Sequence, residues 1–338
     1  MTRMADFGSF ACSSTTAQVL PVNLSTAVGN HNSLQFTERE ACCNQGPYGM
    51  GDSPVGIFAL RHLKGETMRD FLRVLACGVS CIPAAAAAQD SNADRLCSER
   101  PGLTTSACIT APGRLQTETA LVDWTLDRRD GERVDTILLG DTLLRYGVGG
   151  KTELRLGWTP YGAQRDRNAD GSVIHEHRVG DASIGVKTSF VEREGDTGLA
   201  LSGIATALLP VGRLPIGAGD WGATFELPVT YRTSKTISLQ ATPIVSAAVN
   251  DGGKGRHVLY GGAAEVEYSL SETLKADVST QVIRDDDPDS KMRGTPALGS
   301  LAISWQSDSN TQFDLGTNLG LNKAAPDIEG FAGVSHRF

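Results

Sequence analysis

The stretch VLYGGAAEVEYSL at residues 258–270 alternates between two kinds of side chain. One face carries Val258, Tyr260, Gly262, Ala264, Val266, Tyr268 and Leu270, and the other carries Glu265, Glu267 and Ser269. A period of two residues is the signature of a β-strand with one apolar and one polar face. The same alternation returns in WGATFELPVTY at 221–231 and in QFDLGTNLGL at 312–321. These stretches therefore predict sheet.

Segments of this kind follow one another from Arg114 to the end of the chain. They lie near 114–125, 134–146, 153–161, 180–190, 199–209, 221–232, 236–248, 258–270, 274–283, 297–306, 311–321 and 328–338. Most exceed the roughly 5–6 residues of a typical soluble strand and match the about 9–11 residues of a tilted strand that crosses a bilayer. The predicted fold is all-β, an antiparallel transmembrane β-barrel of about 12 strands over residues 114–338.

The connections between these segments alternate in length. The long ones are 126–133, 162–179, 210–220, 249–257, 284–296 and 322–327, and the short ones are 147–152, 191–198, 233–235, 271–273 and 307–310. Outer-membrane barrels have short turns on the periplasmic rim and longer loops outside. A β-sandwich is the alternative, but its strands are shorter. Aromatic residues near strand ends favour the barrel, because such rings gather at the membrane interfaces; they are Trp158, Trp221, Trp305, Tyr146, Tyr231, Tyr260 and Tyr268.

Composition excludes several function classes. The 338 residues carry a formal net charge of −8, which argues against a nucleic-acid partner. The longest apolar run is shorter than the roughly 20 residues of a membrane-spanning helix. The expected partner is outer-membrane lipid, and we expect neither a cofactor nor a metal.

The stretch MRDFLRVLACGVSCIPAAAAAQD at 68–90 has the parts of a secretory signal. A basic start precedes a short apolar core and a small-residue cleavage zone, whereas a buried N-terminal helix is the alternative. We predict a signal peptide at 68–88, export by the Sec machinery and a mature chain that starts near Gln89. Residues 1–67 are then upstream sequence translated in frame by mistake, and disordered.

Two cysteines, Cys97 and Cys108, remain after this cleavage. In an exported protein such a pair predicts a disulfide. Two free thiols are the alternative, and a metal site is disfavoured because no histidine lies nearby. We expect this bond to close a small loop in a periplasmic segment, 89–113, ahead of the first strand.

The polar face of each strand predicts the barrel lumen. The candidate lumen residues are Asp135, Asp141, Arg145, Glu153, Arg155, Asp181, Lys187, Glu226, Arg232, Glu265, Glu267, Lys275, Asp277 and Asp314. These charges either pair across a filled interior or line a narrow path that prefers cations. The first strand is ambiguous, since Glu118 and Asp123 fall on opposite faces. In the sixth, Phe225 should face lipid and Glu226 the lumen.

Three further patterns are candidate sites. His175 and His177 could share a metal, but a solvated loop is favoured. The run Asp285-Asp286-Asp287-Pro288-Asp289 could bind a divalent cation, although a charged rim loop is favoured. A barrel lipase needs Ser and His on one face, whereas the adjacent Ser335 and His336 point to opposite faces. We therefore predict no catalytic residues and no enzyme.

Several short motifs resemble a known family. They are GDASIGVK at 180–187, LPVGRLPIG at 209–217, LPVTY at 227–231, CSERP at 97–101 with Cys108, and GRLQTE at 113–118. Over about residues 97–338 the chain resembles the phenol-degradation meta-pathway (MetA-type) outer-membrane transporters of bacteria. The resemblance implies an outer-membrane barrel that passes small solutes, aromatic or hydrophobic ones included. A structural barrel with a closed lumen is the alternative.

The last residue is Phe338. A final strand that ends in phenylalanine resembles the signal by which the β-barrel assembly machinery recognises its substrates. That resemblance implies the assembly machinery as a second partner.

Overall fold

The computed structural model describes residues 96–290 and 292–338. The predicted upstream extension at 1–67, the signal peptide at 68–88 and the start near Gln89 lie outside these residues.

The described chain folds into β-strands. They are β1 (Leu115–Arg129), β2 (Glu132–Leu139), β3 (Asp141–Gly149), β4 (Thr152–Trp158), β5 (Tyr161–Arg167), β6 (Val173–Arg178), β7 (Ala182–Val191), β8 (Gly198–Leu209), β9 (Gly222–Glu226), β10 (Val229–Arg232), β11 (Ile237–Val249), β12 (Arg256–Ser269), β13 (Leu274–Asp285), β14 (Ala297–Gln306), β15 (Thr311–Gly320) and β16 (Ile328–Arg337). Among the described residues, no helix is long and apolar enough to cross a membrane.

The sixteen strands of the described chain form a closed antiparallel barrel in which the chain crosses from rim to rim twelve times. Four of these crossings consist of two strands in succession, β2 with β3, β4 with β5, β6 with β7, and β9 with β10. The breaks have local causes, since Pro160 and Pro228 lack a ladder donor and Gly140 has a φ of 72°. The first strand closes on the last, because β1 pairs with β16 from Gln116–Arg337 to Leu126–Ile328. The predicted barrel of about 12 strands is confirmed.

Side chains alternate between the outside and the inside along each strand. In β16, Glu329, Phe331, Gly333, Ser335 and Arg337 are buried, and the residues between them are partly exposed. The outward face is apolar, with Leu154, Leu156, Val278, Leu301, Ile303 and Leu315 exposed. Trp158, Trp221, Trp305, Tyr231, Tyr260 and Tyr268 are exposed on the same outer surface. This surface suits a lipid environment.

A β-bulge explains the ambiguous first strand. The register between β1 and β16 shifts between Ala120 and Val122. A bulge adds one residue to a strand and so reverses its parity. Glu118 is buried before the bulge, and Asp123 after it pairs with the buried Phe331. Both carboxylates therefore face the inside.

The rim opposite the chain ends differs from the prediction at two connections. The loop placed at 126–133 is a two-residue turn, in which Asp130 and Gly131 have φ values of 50° and 84°. The loop placed at 162–179 is largely the hairpin of β5 and β6. Both faces of these rim strands carry polar residues, and almost all of β6 is exposed, so the period of two is hidden there.

Candidate functional site

All of the predicted lumen residues except Asp135 lie on inward faces. Ten are buried, namely Asp141, Arg145, Glu153, Arg155, Asp181, Lys187, Glu226, Glu265, Asp277 and Asp314. Asp135, Arg232, Glu267 and Lys275 are partly exposed. The prediction is wrong for Asp135, which shares the outer face of β2 with exposed Ile137 and Leu139 and contacts Arg133 there at 2.7 Å. The break at Gly140 reverses the parity between β2 and β3, so that Asp135 and the inward Asp141 lie on different faces. The period of two thus predicts which residues form the polar wall, but it does not predict what fills the barrel interior.

The space is entered by the segment 96–113, which precedes β1. Its backbone N–H groups donate to inward side chains around the barrel, from Leu103 to Ser279, Thr105 to Thr242, Ala107 to Thr230 and Thr110 to Glu153. The prediction of a periplasmic segment at 89–113 is wrong for the described part, because residues 96–113 lie against the inner wall. The reason is that the unpaired backbone donors of this segment find acceptors on the polar wall.

A disulfide joins Cys97 and Cys108 within this segment, which confirms the predicted bond. The bond bends the segment back on itself, so that both cysteines lie near Arg145. The Arg145 guanidinium donates to the carbonyl oxygens of Cys97 and Cys108. One buried cation therefore holds both ends of the covalent loop.

Glu99 is the main ionic anchor of the segment. Its carboxylate accepts two hydrogen bonds from Arg155, at 2.6 and 2.7 Å, and one from Lys187 at 2.6 Å. Arg145 lies 3.5 Å away. Burial by itself raises the pKa of Glu99, but the positive charges of Arg145, Arg155 and Lys187 outweigh it and hold the pKa well below its usual range.

The next residue makes a second anchor on another strand of the barrel. The Arg100 guanidinium donates to Asp314 at 2.9 and 3.1 Å and lies 5.7 Å from the centre of the Phe331 ring. Glycine makes room for this contact, because a Cβ on Gly333 would lie 2.5 Å from Arg100 Nε. Adjacent residues of opposite charge thus bind to different strands of the wall.

Asp181 differs from the other predicted lumen residues because it binds the backbone of a connection between strands. Its two carboxylate oxygens accept the backbone N–H groups of Gly212 and Ala218, at 2.8 and 2.6 Å. The connection between β8 and β9 is thereby held over the inner face of β5, where fully buried Ile216 packs against Gly162. Asp181 therefore shapes the barrel mouth.

Several buried polar atoms of the described wall lack a hydrogen-bond partner. They are Glu226 Oε1, Asp277 Oδ2, both amide atoms of Gln281, Ser300 Oγ, Asn318 Oδ1 and Glu329 Oε1. Ser300, Asn318 and Glu329 are neighbours on β14, β15 and β16, because the strand register pairs them directly. Buried polar groups normally find a partner, so this part of the wall is suited to water or a polar solute.

Family membership follows from the sequence of this same region. A model of the family described as "Putative MetA-pathway of phenol degradation" matches residues 98–338. The chain belongs to this family. The match includes the anchors Glu99 and Arg100 as well as every strand of the barrel.

One solved structure agrees with the family in fold, and a second is less similar. The outer membrane channel from Pseudomonas putida F1 is similar with a TM-score of 0.54 and 10% identity, over 68% of this chain and 97% of that chain. The KdgM porin in complex with disordered oligogalacturonate gives a TM-score of 0.39 and 7% identity, over 67% of this chain and 99% of that chain. Among curated proteins, none matches the sequence. The family member described here is an outer-membrane β-barrel.

The sequence missed three charged residues of this site. Glu329 could have been found, because it alternates with outward Ile328 in a recognised segment. Glu99 and Arg100 could not, since they lie outside any strand and periodicity gives them no direction. The excess of basic residues on β3, β4 and β7 was the only indirect signal of a missing acid.

The other sequence candidates are separate from the lumen cluster. His175 and His177 lie on β6, and His177 Nδ1 is 2.8 Å from the Tyr161 hydroxyl. Ser335 is buried and contacts Ser98 at 2.9 Å, whereas His336 lies on the outer face beside Thr311. The two members of the Ser–His pair therefore point to opposite faces.

Proposed function

We propose that this family member is a passive, cation-preferring channel for small solutes, aromatic ones among them, and that it works without catalysis. The observation that carries the proposal is the charge of the inner wall. Inward carboxylates are Glu118, Asp123, Asp127, Asp141, Glu153, Asp181, Glu226, Glu265, Glu267, Asp277, Asp285, Asp314 and Glu329, and inward bases are Arg145, Arg155, Lys187, Arg232, Lys275 and Arg337. A wall with more carboxylates than bases attracts cations and repels anions.

The distribution of ion pairs confines the preference for cations to one part of the inner wall. The bases Arg145, Arg155 and Lys187 are neutralised by Glu99, Glu118 and Glu153. On the remaining wall, Glu226 and Asp277 each keep one oxygen without a hydrogen bond. A cation or a solute with hydroxyl groups would meet free acceptors on that side.

Ion selectivity tests the proposal directly. The folded full-length protein in planar bilayers under a potassium chloride gradient should give a reversal potential of the sign expected for cation flux. Glu226→Gln should reduce this potential, because it removes an inward charge. Glu192→Gln is the matched control, since Glu192 is 55% exposed and pairs with Lys151 at 3.5 Å outside the wall. An anion-selective channel would contradict the proposal.

Solute class needs a separate measurement. The family description names phenol degradation, and unpartnered acceptors such as Glu329 Oε1 suit a phenolic hydroxyl donor. Proteoliposomes should admit phenol faster than empty liposomes do, and the ratio should fall for Glu329→Ala. Equal rates with and without the protein would exclude phenol as a transported solute.

A closed structural barrel is the second candidate, and the segment 96–113 favours it. The segment bonds to strands around the whole wall and is anchored by two buried ion pairs. A barrel without measurable conductance, in the full-length form and in a form that lacks the segment, would support this candidate instead.

Export and assembly of the chain are part of the proposal. We propose export by the Sec machinery with a signal at 68–88, a start at Met68 and recognition of Phe338 by the assembly machinery. Phe338 is 61% exposed, and its N–H donates to Leu115 O on β1. Sequencing of outer-membrane material should begin near Gln89, and deletion of Phe338 should slow assembly. A peptide from residues 1–67 in that fraction would refute the assigned start.

A further inference from the structure

A group of metal-ligand side chains lies at the rim opposite the chain ends, apart from the lumen cluster. His257 is near the start of β12, Asp285 ends β13, and Asp287 lies two residues beyond it. One ligand atom from each residue falls within 4.8 Å of the others. Three potential ligands from two strands and a loop thus lie close together.

The imidazole has an unusual contact. The His257 side chain is 7% exposed, and its Nε2 lies 2.9 Å from Asp285 Oδ1 in a contact that is not aligned as a hydrogen bond. A close approach without hydrogen-bond alignment is typical of two ligands of one ion. Atoms that each lie about 2.0–2.2 Å from a metal are roughly 3 Å apart.

The second ring nitrogen supports the same assignment. His257 Nδ1 lies 3.1 Å from Asn250 Oδ1 and 3.4 Å from Asp287 Oδ2. A metal-binding histidine usually donates its other N–H to a carbonyl or carboxylate, which fixes the tautomer and leaves the first nitrogen free for the ion. Asn250 is positioned to fulfil this role.

The carboxylates are held in place by backbone donors. Asp285 Oδ1 accepts the N–H of Asp287 at 2.9 Å, and Asp287 Oδ2 accepts the N–H of Asp251 at 2.9 Å. The backbone of Asp285 is in turn paired with Gly294 in both directions. The ligands therefore need little rearrangement to bind an ion.

We propose that His257, Asp285 and Asp287 bind one divalent transition-metal ion of the zinc or manganese class. One imidazole with two carboxylates is a ligand set for such ions, whereas calcium and magnesium prefer oxygen ligands alone. The ion would join the β11–β12 turn to the connection after β13 and so stiffen the barrel mouth.

Zinc binding by the folded full-length protein tests this. After dialysis against Zn²⁺ and removal of loose metal, one equivalent should remain. His257→Ala and Asp287→Asn should each weaken Zn²⁺ affinity about tenfold or more. His175→Ala is the matched control, because His175 is an exposed histidine on the same rim. The folded state of each variant is checked by its electrophoretic shift on heating.

A second readout is independent of stoichiometry. Trypsin cleavage after the exposed Lys254, in the β11–β12 turn, should be slower with Zn²⁺ in the wild type and unchanged by Zn²⁺ in Asp287→Asn. Retention of zinc by His257→Ala, no zinc in the wild type, or binding of Ca²⁺ in place of Zn²⁺ would each overturn the proposal. In the first two cases the three residues are only a network of ion pairs.

Discussion

At the scale of single residues, neighbours on one strand should respond oppositely to substitution. Phe225 is 47% exposed on the outer face, and Glu226 is 2% exposed on the inner face. Phe225→Arg should impair assembly, because a cation at the middle of the lipid face costs roughly 2–4 kcal/mol. Glu226→Gln should leave the barrel intact. The two variants can be compared by heat-modifiable electrophoresis and by urea unfolding in lipid vesicles; the opposite ranking would mean that the assigned faces are exchanged.

The same scale gives a prediction for Glu99, whose carboxylate lies among three cations. Glu99→Gln should weaken docking of the segment by about 3–5 kcal/mol, the usual effect of breaking a buried ion pair. Hydrogen exchange should speed up at the amides of Leu103, Thr105 and Ala107, while strand amides stay protected. Exposed Glu192→Gln serves as the control. Unchanged exchange in Glu99→Gln would show that Glu99 is not an anchor.

At the scale of elements, the disulfide should hold the segment but not the barrel. The bond joins residues 11 apart, and closing such a loop stabilises it by roughly 2–3 kcal/mol. We expect the double variant Cys97→Ser/Cys108→Ser to keep its heat-modifiable band, because the closed ladder does not depend on the bond. The amides of Thr105 and Ala107 should exchange faster. Loss of the folded band would mean that the segment is required for assembly.

Some elements could be predicted from the sequence, and others could not. Strands such as β12 and β16 could be predicted with their faces, because lipid on one side and a polar interior on the other enforce a period of two. The hairpin of β5 and β6 could not, since both of its faces carry polar residues. The segment 96–113 was also out of reach. Its position depends on bonds between residues such as Arg100 and Asp314, which are 214 positions apart.

At the scale of the whole molecule, the segment 96–113 and the wall together decide what can pass. The segment brings one acid, Glu99, and one base, Arg100, so that its charge nearly cancels. The selectivity of the barrel must then come from the wall, where carboxylates outnumber bases. The segment should therefore control the size of the path and the wall its preference for cations.

This division predicts the behaviour of a variant that lacks residues 96–110. The barrel should still close, because β1 begins at Leu115 and keeps its pairing with β3 and β16. Its single-channel conductance should be several-fold larger than that of the full chain, since the hydrogen bonds to Ser279, Thr242 and Thr230 are replaced by water. Its reversal potential should keep the cation-preferring sign, because deletion of Glu99 and Arg100 removes one charge of each sign. Planar-bilayer recordings in a salt gradient measure both quantities at once. A larger conductance with inverted selectivity would show that Glu99, rather than the wall, sets the preference for cations. An unchanged conductance would show that the path is limited elsewhere, for example by the β8–β9 connection that Asp181 holds at the barrel mouth.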